Sequence, residues 1–446
     1  MINTNYYDVS RWPYGNPYID IGEVINNIID DIKKNQVEKD INKGGKPGAV
    51  IYIPPGDYRL TTQVLIDISF LKITGSGHGF TSSSIRFNTS IDEITNWHEV
   101  WPGGSRILVD IPYDTGAHEE DGAAFLIKRE GEPRISSVEF SNFCIDGLHF
   151  MEDSNHDPEN SYMNGKTGIY IACPHDSFKI NGMGIVYCEH GVVAYHADAL
   201  SIHDNFIAEC GNCIELKGAG QASKITDNLL GAGYKGYTIY ASNYGGISIS
   251  TNNVFPRGAS SIYFSGVVRS IITSNRFHSF YPGMLVFEND CVENLISSNH
   301  FLRDQEPWIP MQMYHNGLDD TYGLLRIEGS HNSIISNHIS ESISKDHIKP
   351  NGEQPIIIRV TSGYKNYIAN NNIVCSAVDL EGNEKENACF SAQVSSILTT
   401  NNLNMIQVTA VHIDEVSIGN IVLDTGNDEQ IHMDRVKNIL RAIPTK

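Results

Sequence analysis

The sequence predicts an all-β fold, a right-handed parallel β-helix with about 24 residues per coil and a short N-terminal capping helix. The first observation is a recurring pattern: an apolar residue, two small polar residues, asparagine, any residue, then another apolar one. It appears as IHDNFI, ITDNLL, ISTNNV, ITSNRF, ISSNHF, IISNHI, IANNNI and LTTNNL, with asparagine at 205, 228, 252, 275, 299, 337, 371 and 401, and FKINGM supplies Asn181 before them. The second is the interval, which runs 24, 23, 24, 23 and 24 residues over the first five steps. Short β-rich runs at this period suit a coil of three strands, whereas a leucine-rich repeat of similar length needs a leucine-dominated consensus that is missing here. Successive coils stack at about 4.8 Å, so the asparagines are expected to form a ladder at turns that tolerate left-handed geometry.

The third observation precedes the coils. In IGEVINNIIDDIKK, Ile21, Val24, Ile25, Ile28, Ile29 and Ile32 fall on one helical stripe, which predicts a short amphipathic helix. The run AVIYIPPGDYRL follows as a buried strand closed by Pro-Pro-Gly. Residues 1–60 therefore read as an N-terminal segment whose helix covers the open end of the first coil and blocks edge-to-edge aggregation. Later intervals lengthen to 38, 34 and 30 residues, which places insertions near 303–323, 340–354 and 377–388, with another near 149–166. Residues 1–446 are expected to form one β-helix domain, and long insertions on a rigid coil are where binding surfaces are built.

Composition narrows the function. Apolar residues make up 40% of the 446-residue chain and charged residues 19%, as in a globular protein with a sizeable core. A net charge of −21, with no Lys/Arg cluster, argues against nucleic acid and anionic lipid as partners. No run approaches the length of a membrane helix, and the start MINTNYYDVSRWPYG lacks a secretory pattern, so a cytoplasmic location is expected. The eight cysteines are scattered and read as free buried thiols. Cys210 and Cys213 form a CxxC without a second pair or a histidine at ligand spacing, so neither a metal nor a cofactor is expected.

The segment SIHDNFIAECGNCIEL holds two acids eleven residues apart, Asp204 and Glu215. Asp204 occupies the polar turn position before Asn205, where capping of local backbone N–H groups is the ordinary role. Asp227 stands 23 residues on, close enough by stacking to perturb Asp204 and to join a binding site. Glu215 lies between Ile214 and Leu216, which alternation turns inward while Glu215 turns outward. A solvated strand residue and a catalytic group both fit that position. As a pair, the acids suit glycosidic bonds, one protonating the leaving oxygen and the other activating the attacking group. Trp97 and Trp101 in NWHEVWPGG, and Trp308 on its insertion, are candidates to stack on sugar rings, with buried packing as the alternative.

The stretches DIGEVINNIIDDIKK with VIYIPPGDY, ITGSGHGFTSSSIRF, NWHEVWPGGSRILV and above all IHDNFIAECGNCIEL resemble the inulin fructotransferase and difructose dianhydride III hydrolase family over nearly the whole chain. The resemblance implies a β-helix that assembles as a homotrimer, with active sites in clefts between subunits. It also implies that Asp204 and Glu215 are the essential acids; the mechanism expected of them has Glu215 transferring a proton to the leaving oxygen and Asp204 activating water or stabilising charge, with the two roles open to exchange. Either a fructose disaccharide or inulin is then the substrate. The hydrolases open the cyclic disaccharide to inulobiose, and the transferases release it from inulin. The absent leader favours the hydrolase, with the insertion around Trp308 or the one at 377–388 as its lid. A pectate-lyase-like enzyme and a glycan-binding β-helix are the competing classes.

Overall fold

Alternating apolar residues on short strands, each followed by a polar corner, give the chain its parallel coils. The computed structural model describes residues 5–35, 48–79, 103–111, 119–131, 133–148, 164–232, 236–255, 260–304, 317–344, 354–379, 396–398 and 408–441. Every described strand pairing within a coil stack is parallel, except that Asn372–Asp379 pairs antiparallel with Ser396–Leu398. The fold is a right-handed parallel β-helix, and its described residues divide into two compact units, 1–229 and 230–446.

In the first unit the coils line up residue on residue. Ile180, Ile202 and Ile225 are stacked through one sheet, Ile185 and Ile207 through a second, and Val192 and Ile214 through a third. All are essentially excluded from water, each contributing roughly 1.5–3 kcal/mol of burial free energy before chain entropy is set against it. A fourth, narrower sheet fills a corner with Ile135–Ser136, His175–Asp176, Ala197–Asp198 and Gly220–Gln221.

The N-terminal helix spans Pro17–Asn35, and all six stripe residues are buried. Asp20 departs from helical geometry at φ −151° and ψ 97°. Its Oδ1 accepts from the backbone N–H groups of Gly22, Thr61 and Thr62, so it caps the helix body and ties it to the first coil. Burial opposes the charge on Asp20, but the bonds from Thr62 and Thr61 hold its carboxyl below the ordinary value. A side chain at Gly22 would lie 1.8 Å from the Thr62 carbonyl oxygen, which is why the chain carries glycine there.

In the second unit the asparagine ladder is continuous. From Asn252 onward, Asn275, Asn299, Asn337 and Asn371 each accept, at Oδ1, the backbone N–H and side-chain amide of the preceding rung. The same amides from Asn275 onward donate to carbonyls of an earlier coil, as Asn299 does to Ile272. Three details differ from the sequence expectation. The left-handed residues are those before the rungs, such as Thr251, Ser274, Ser298 and Asn370, because the rung must point its amide inward while its neighbour turns the corner. The rung after Asn371 is Thr425, whose Oγ1 takes the two bonds, since Tyr367–Ala369 stacks on Ile421–Leu423; Asn401 lies outside the described residues. In the first unit Asn181 is not a rung: it stacks on His203, and Met183 holds the rung position by donating its N–H to Asn205 Oδ1.

A second ladder, unforeseen in the sequence, runs through Asn294, Asn332, Asn366, Asn420 and Asn438 with the same bonding rule. The insertions at 149–166, 303–323, 340–354 and 377–388 lie mostly outside the described residues, as do Trp97, Trp101 and Trp308.

Candidate active site

Asp204 and Glu215 belong to one coil but to different faces of it. Asp204 sits at the corner between Ser201–His203 and Phe206–Cys210, with φ 56° and its side chain 68% exposed. Its carboxylate is bonded to its neighbour, His203 Nδ1 lying 2.9 Å from Asp204 Oδ2. Asp227 repeats the same left-handed, exposed position on the next coil, at φ 57°.

Glu215 lies in Asn212–Lys217, in the third sheet. Ile214 and Leu216 point into the coil as alternation requires, yet Glu215 is only 3% exposed. Its own neighbours cover it. Oε1 accepts from His190 Nδ1 at 2.5 Å and from Asn212 Nδ2 at 2.8 Å, while Oε2 lies 2.7 Å from Lys217 Nζ. Lys217 also reaches Glu119 Oε2 at 3.1 Å, and His190 Nε2 stands 3.9 Å from Glu119 and 3.8 Å from Glu189. The backbone N–H of Gly165 fixes Glu189 at 2.6 Å. Asp204 and Glu215 share none of these partners.

The electrostatics of the cluster follow from burial opposed by charge. Burial alone would raise the Glu215 carboxyl, but the hydrogen bond and charge of His190, joined by Lys217, bring it down to about 2. Burial would lower His190, but its bond and charge interaction with Glu215, with Glu119 and Glu189 behind, raise it above its ordinary value. Lys217 is raised likewise, against its own desolvation, by Glu215 and Glu119. The cluster holds the Glu215 carboxylate between the Lys217 ammonium and an imidazole whose pKa the neighbouring carboxylates raise.

Glu119, His190 and Glu215 each bring a donor atom within 4.8 Å of the others, a spacing that would admit a metal ion. Lys217 already puts its ammonium between the two carboxylates, so the cluster carries its own cation. Sequence reasoning found Glu215 but not His190, Asn212, Lys217 or Glu119. The signal for Lys217 was present, because residues two apart on a strand share a face. His190 stacks on Asn212 one coil away, which the period also encodes.

Comparison with known proteins adds to this geometry. Residues 298–444 match the family model described as the beta helix repeat of inulin fructotransferase. An inulin fructotransferase (DFA-I-forming) of Arthrobacter globiformis is 44% identical over 380 residues, covering 84% of this chain and 90% of that protein. The chain belongs to the inulin fructotransferase family. Within that family its solved relatives include DFA-IIIase from Arthrobacter chlorophenolicus A6 in complex with DFA-III, at 57% identity and a TM-score of 0.89 over 99% of both chains. The same enzyme in complex with GF2 is 55% identical, with a TM-score of 0.85 and full coverage of both chains.

Proposed function

We infer that this family member hydrolyses DFA-III, difructose dianhydride III, to inulobiose. The observation that carries the reading is the match along the whole chain to a DFA-IIIase solved with DFA-III bound, closer in sequence than the DFA-I-forming transferase at 44%. The reaction breaks one glycosidic C–O bond, joins the oxygen of water to the anomeric carbon, and needs one group to give a proton and another to take one.

Asp204 and Glu215 are the groups proposed. Because they occupy different faces of a coil, the pair would be completed between neighbouring chains of a homotrimer, Asp204 of one meeting Glu215 of the next. The charge state of Glu215 favours an exchange of the roles first assigned from the pattern. A carboxyl held down to about 2 is a poor acid at neutral pH and is suited to take the proton of the incoming water or to balance positive charge at the anomeric carbon. Asp204 then supplies the proton to the leaving oxygen, for which a neighbouring subunit and the substrate must bury its exposed carboxyl and raise its pKa.

The test is incubation with DFA-III and with inulin separately, products being resolved by chromatography. Inulobiose from DFA-III, with inulin untouched, is the expected result. A difructose dianhydride appearing from inulin would make the protein a transferase, and silence on both substrates would end the enzymatic reading.

A further inference from the structure

We propose that His190 is a positioning residue for the reaction: it fixes the plane of the Glu215 carboxylate through Oε1, and its charge sets how basic that carboxylate is. The inference rests on the reading of Glu215 as a reacting group, and it adds a residue that neither the motif nor the family resemblance assigns.

The geometry points to His190 in three ways. Its Nδ1 is 2.5 Å from Oε1, and Asn212 Nδ2 donates to the same oxygen at 2.8 Å, so Oε1 is held by two donors. Oε2 faces the Lys217 ammonium at 2.7 Å, and an ionised carboxylate oxygen can accept a second bond there from a water or hydroxyl proton. The carboxylate is thus oriented by one oxygen and reactive through the other. His190 is itself anchored, its backbone N–H donating to the Lys166 carbonyl oxygen at 3.1 Å and its side chain only 12% exposed.

Charge gives the second half. The charged groups facing His190 are Glu215 and Lys217 from Asn212–Lys217, Glu119 from the segment before Ala123–Ile127, and Glu189 from its own strand's entry; the Lys166 ammonium turns instead to the carbonyls of Val109 and Gly147. Three carboxylates crowd this cluster, and Lys217 shares itself between two of them. Loss of the imidazolium proton would leave Glu215 with the weaker support of a shared ammonium. In its neutral Nδ1–H form His190 keeps the hydrogen bond but loses the charge. Rising pH therefore takes the charge from His190 and leaves Glu215 an oriented anion of altered basicity, so the basic limb of the activity profile would report His190.

The experiment compares kcat and KM across pH for wild type, His190→Asn, His190→Ala and Glu215→Gln, all as the full chain acting on DFA-III. Asparagine can place an amide near the Nδ1 position but cannot titrate. His190→Asn is expected to keep KM within about threefold, to lower kcat roughly tenfold, and to lose or displace the basic limb. His190→Ala, lacking donor and charge, is expected to lose about a hundredfold or more in kcat. Selective 13C-histidine labelling of wild type, with His190→Asn to identify the signal, reads the ionisation directly and stands even if the alanine variant misfolds. An unchanged basic limb in His190→Asn, or a labelled His190 that is neutral throughout the active range, would overturn the inference. Full activity in Glu215→Gln would instead overturn the assignment of Glu215, a distinct result.

Discussion

Two buried polar systems in this protein obey different rules. In the second unit the asparagine ladder repeats one bonding scheme at every coil: Asn299 accepts two bonds from Asn275 and donates to Ile272 and Asn337. Each polar atom of the side chain is satisfied by the stack, and the next rung offers the same again. In the first unit Glu215 is as deeply buried, yet its partners occur once. Val193, one coil away at the same register, is apolar. Stacking alone would favour an apolar residue there, and it does not account for the imidazole, the amide and the ammonium that surround Glu215. The lesson is that repetition separates structural from functional polarity in a solenoid more sharply than burial does.

The largest effect that would break this comparison is on activity. Glu215→Gln keeps the size and an acceptor oxygen but removes the charge, so turnover of the folded protein on DFA-III is expected to fall by about 10³-fold, and the unfolding midpoint at neutral pH to fall as well, because the charge contributes stability there. Asp204→Asn should show a similar loss, because asparagine also tolerates the left-handed corner. Asp227→Asn at the equivalent corner one coil on tests whether the position or the residue matters: a KM rise under about tenfold with kcat kept marks a peripheral contact, whereas a loss matching Asp204→Asn would move the acid to the other coil.

Next comes the ladder. Asn299→Ala would leave the Asn275 backbone N–H without its acceptor and the Ile272 carbonyl without the amide donor, while Asn337 keeps the backbone N–H of residue 299, a cost of about 2–4 kcal/mol at the usual penalty for unmade buried bonds. Urea denaturation read by circular dichroism should show the midpoint fall by that amount, with specific activity of the folded fraction preserved. A variant of normal stability would mean that the ladder records geometry without contributing energy.

How much of this was legible in the sequence depends on whether a feature repeats in sequence as well as in space. The first ladder was readable because two small polar residues precede each asparagine and keep the period near 24. The second was not, because CVENLI, GSHNSI, GYKNYI and SIGNIV share only the asparagine and the apolar residue two positions after it. Asn181 was misplaced because the pattern match slipped by two residues, a shift that strand alternation hides since it keeps the same face inward. At the site, Glu215 stood out against the alternation of its strand, and Lys217 two residues on was readable by the same rule. Glu119 was not, since it reaches Lys217 across 98 positions from a segment with no strand pattern of its own. Neither did the sequence say that Asp204 and Glu215 face different ways. Eleven residues is half a coil, and the corner at Gly211 carries the chain from the second sheet to the third.

A smaller effect concerns pH. The Glu215 carboxyl is carried from an ordinary 4.5 to about 2 on folding, so the unfolded chain binds its proton first as pH falls. The stability this contributes is fully present above about pH 4.5 and is lost as pH descends toward 2, an amount on the order of 3 kcal/mol. His190, raised on folding, runs the other way: its contribution is complete below its unfolded value and disappears as pH climbs through the raised one. Urea midpoints between pH 6 and 3 should therefore fall less steeply in Glu215→Gln than in wild type. Parallel profiles would mean that the cluster is no more strongly coupled in the folded chain than in the unfolded one.

The smallest expected effect is the most discriminating about repetition itself. Arg269 and Glu293 stand 24 residues apart, at left-handed corners of the second unit, joined by a 2.6 Å bond. They stack as the ladder does, but their side chains are 76% and 50% exposed. If stacking at the solenoid period were enough to stabilise a polar pair, breaking this one would matter. If the energy of the ladder comes from satisfying groups that water cannot reach, it should not, because exposed ion pairs gain little over hydration and are screened by salt. Glu293→Gln removes the charge and leaves the backbone alone. Its unfolding midpoint is expected to coincide with wild type at low and high salt alike, and a shift approaching that of Asn299→Ala would place the stabilising power of the coil in its register instead of in its burial.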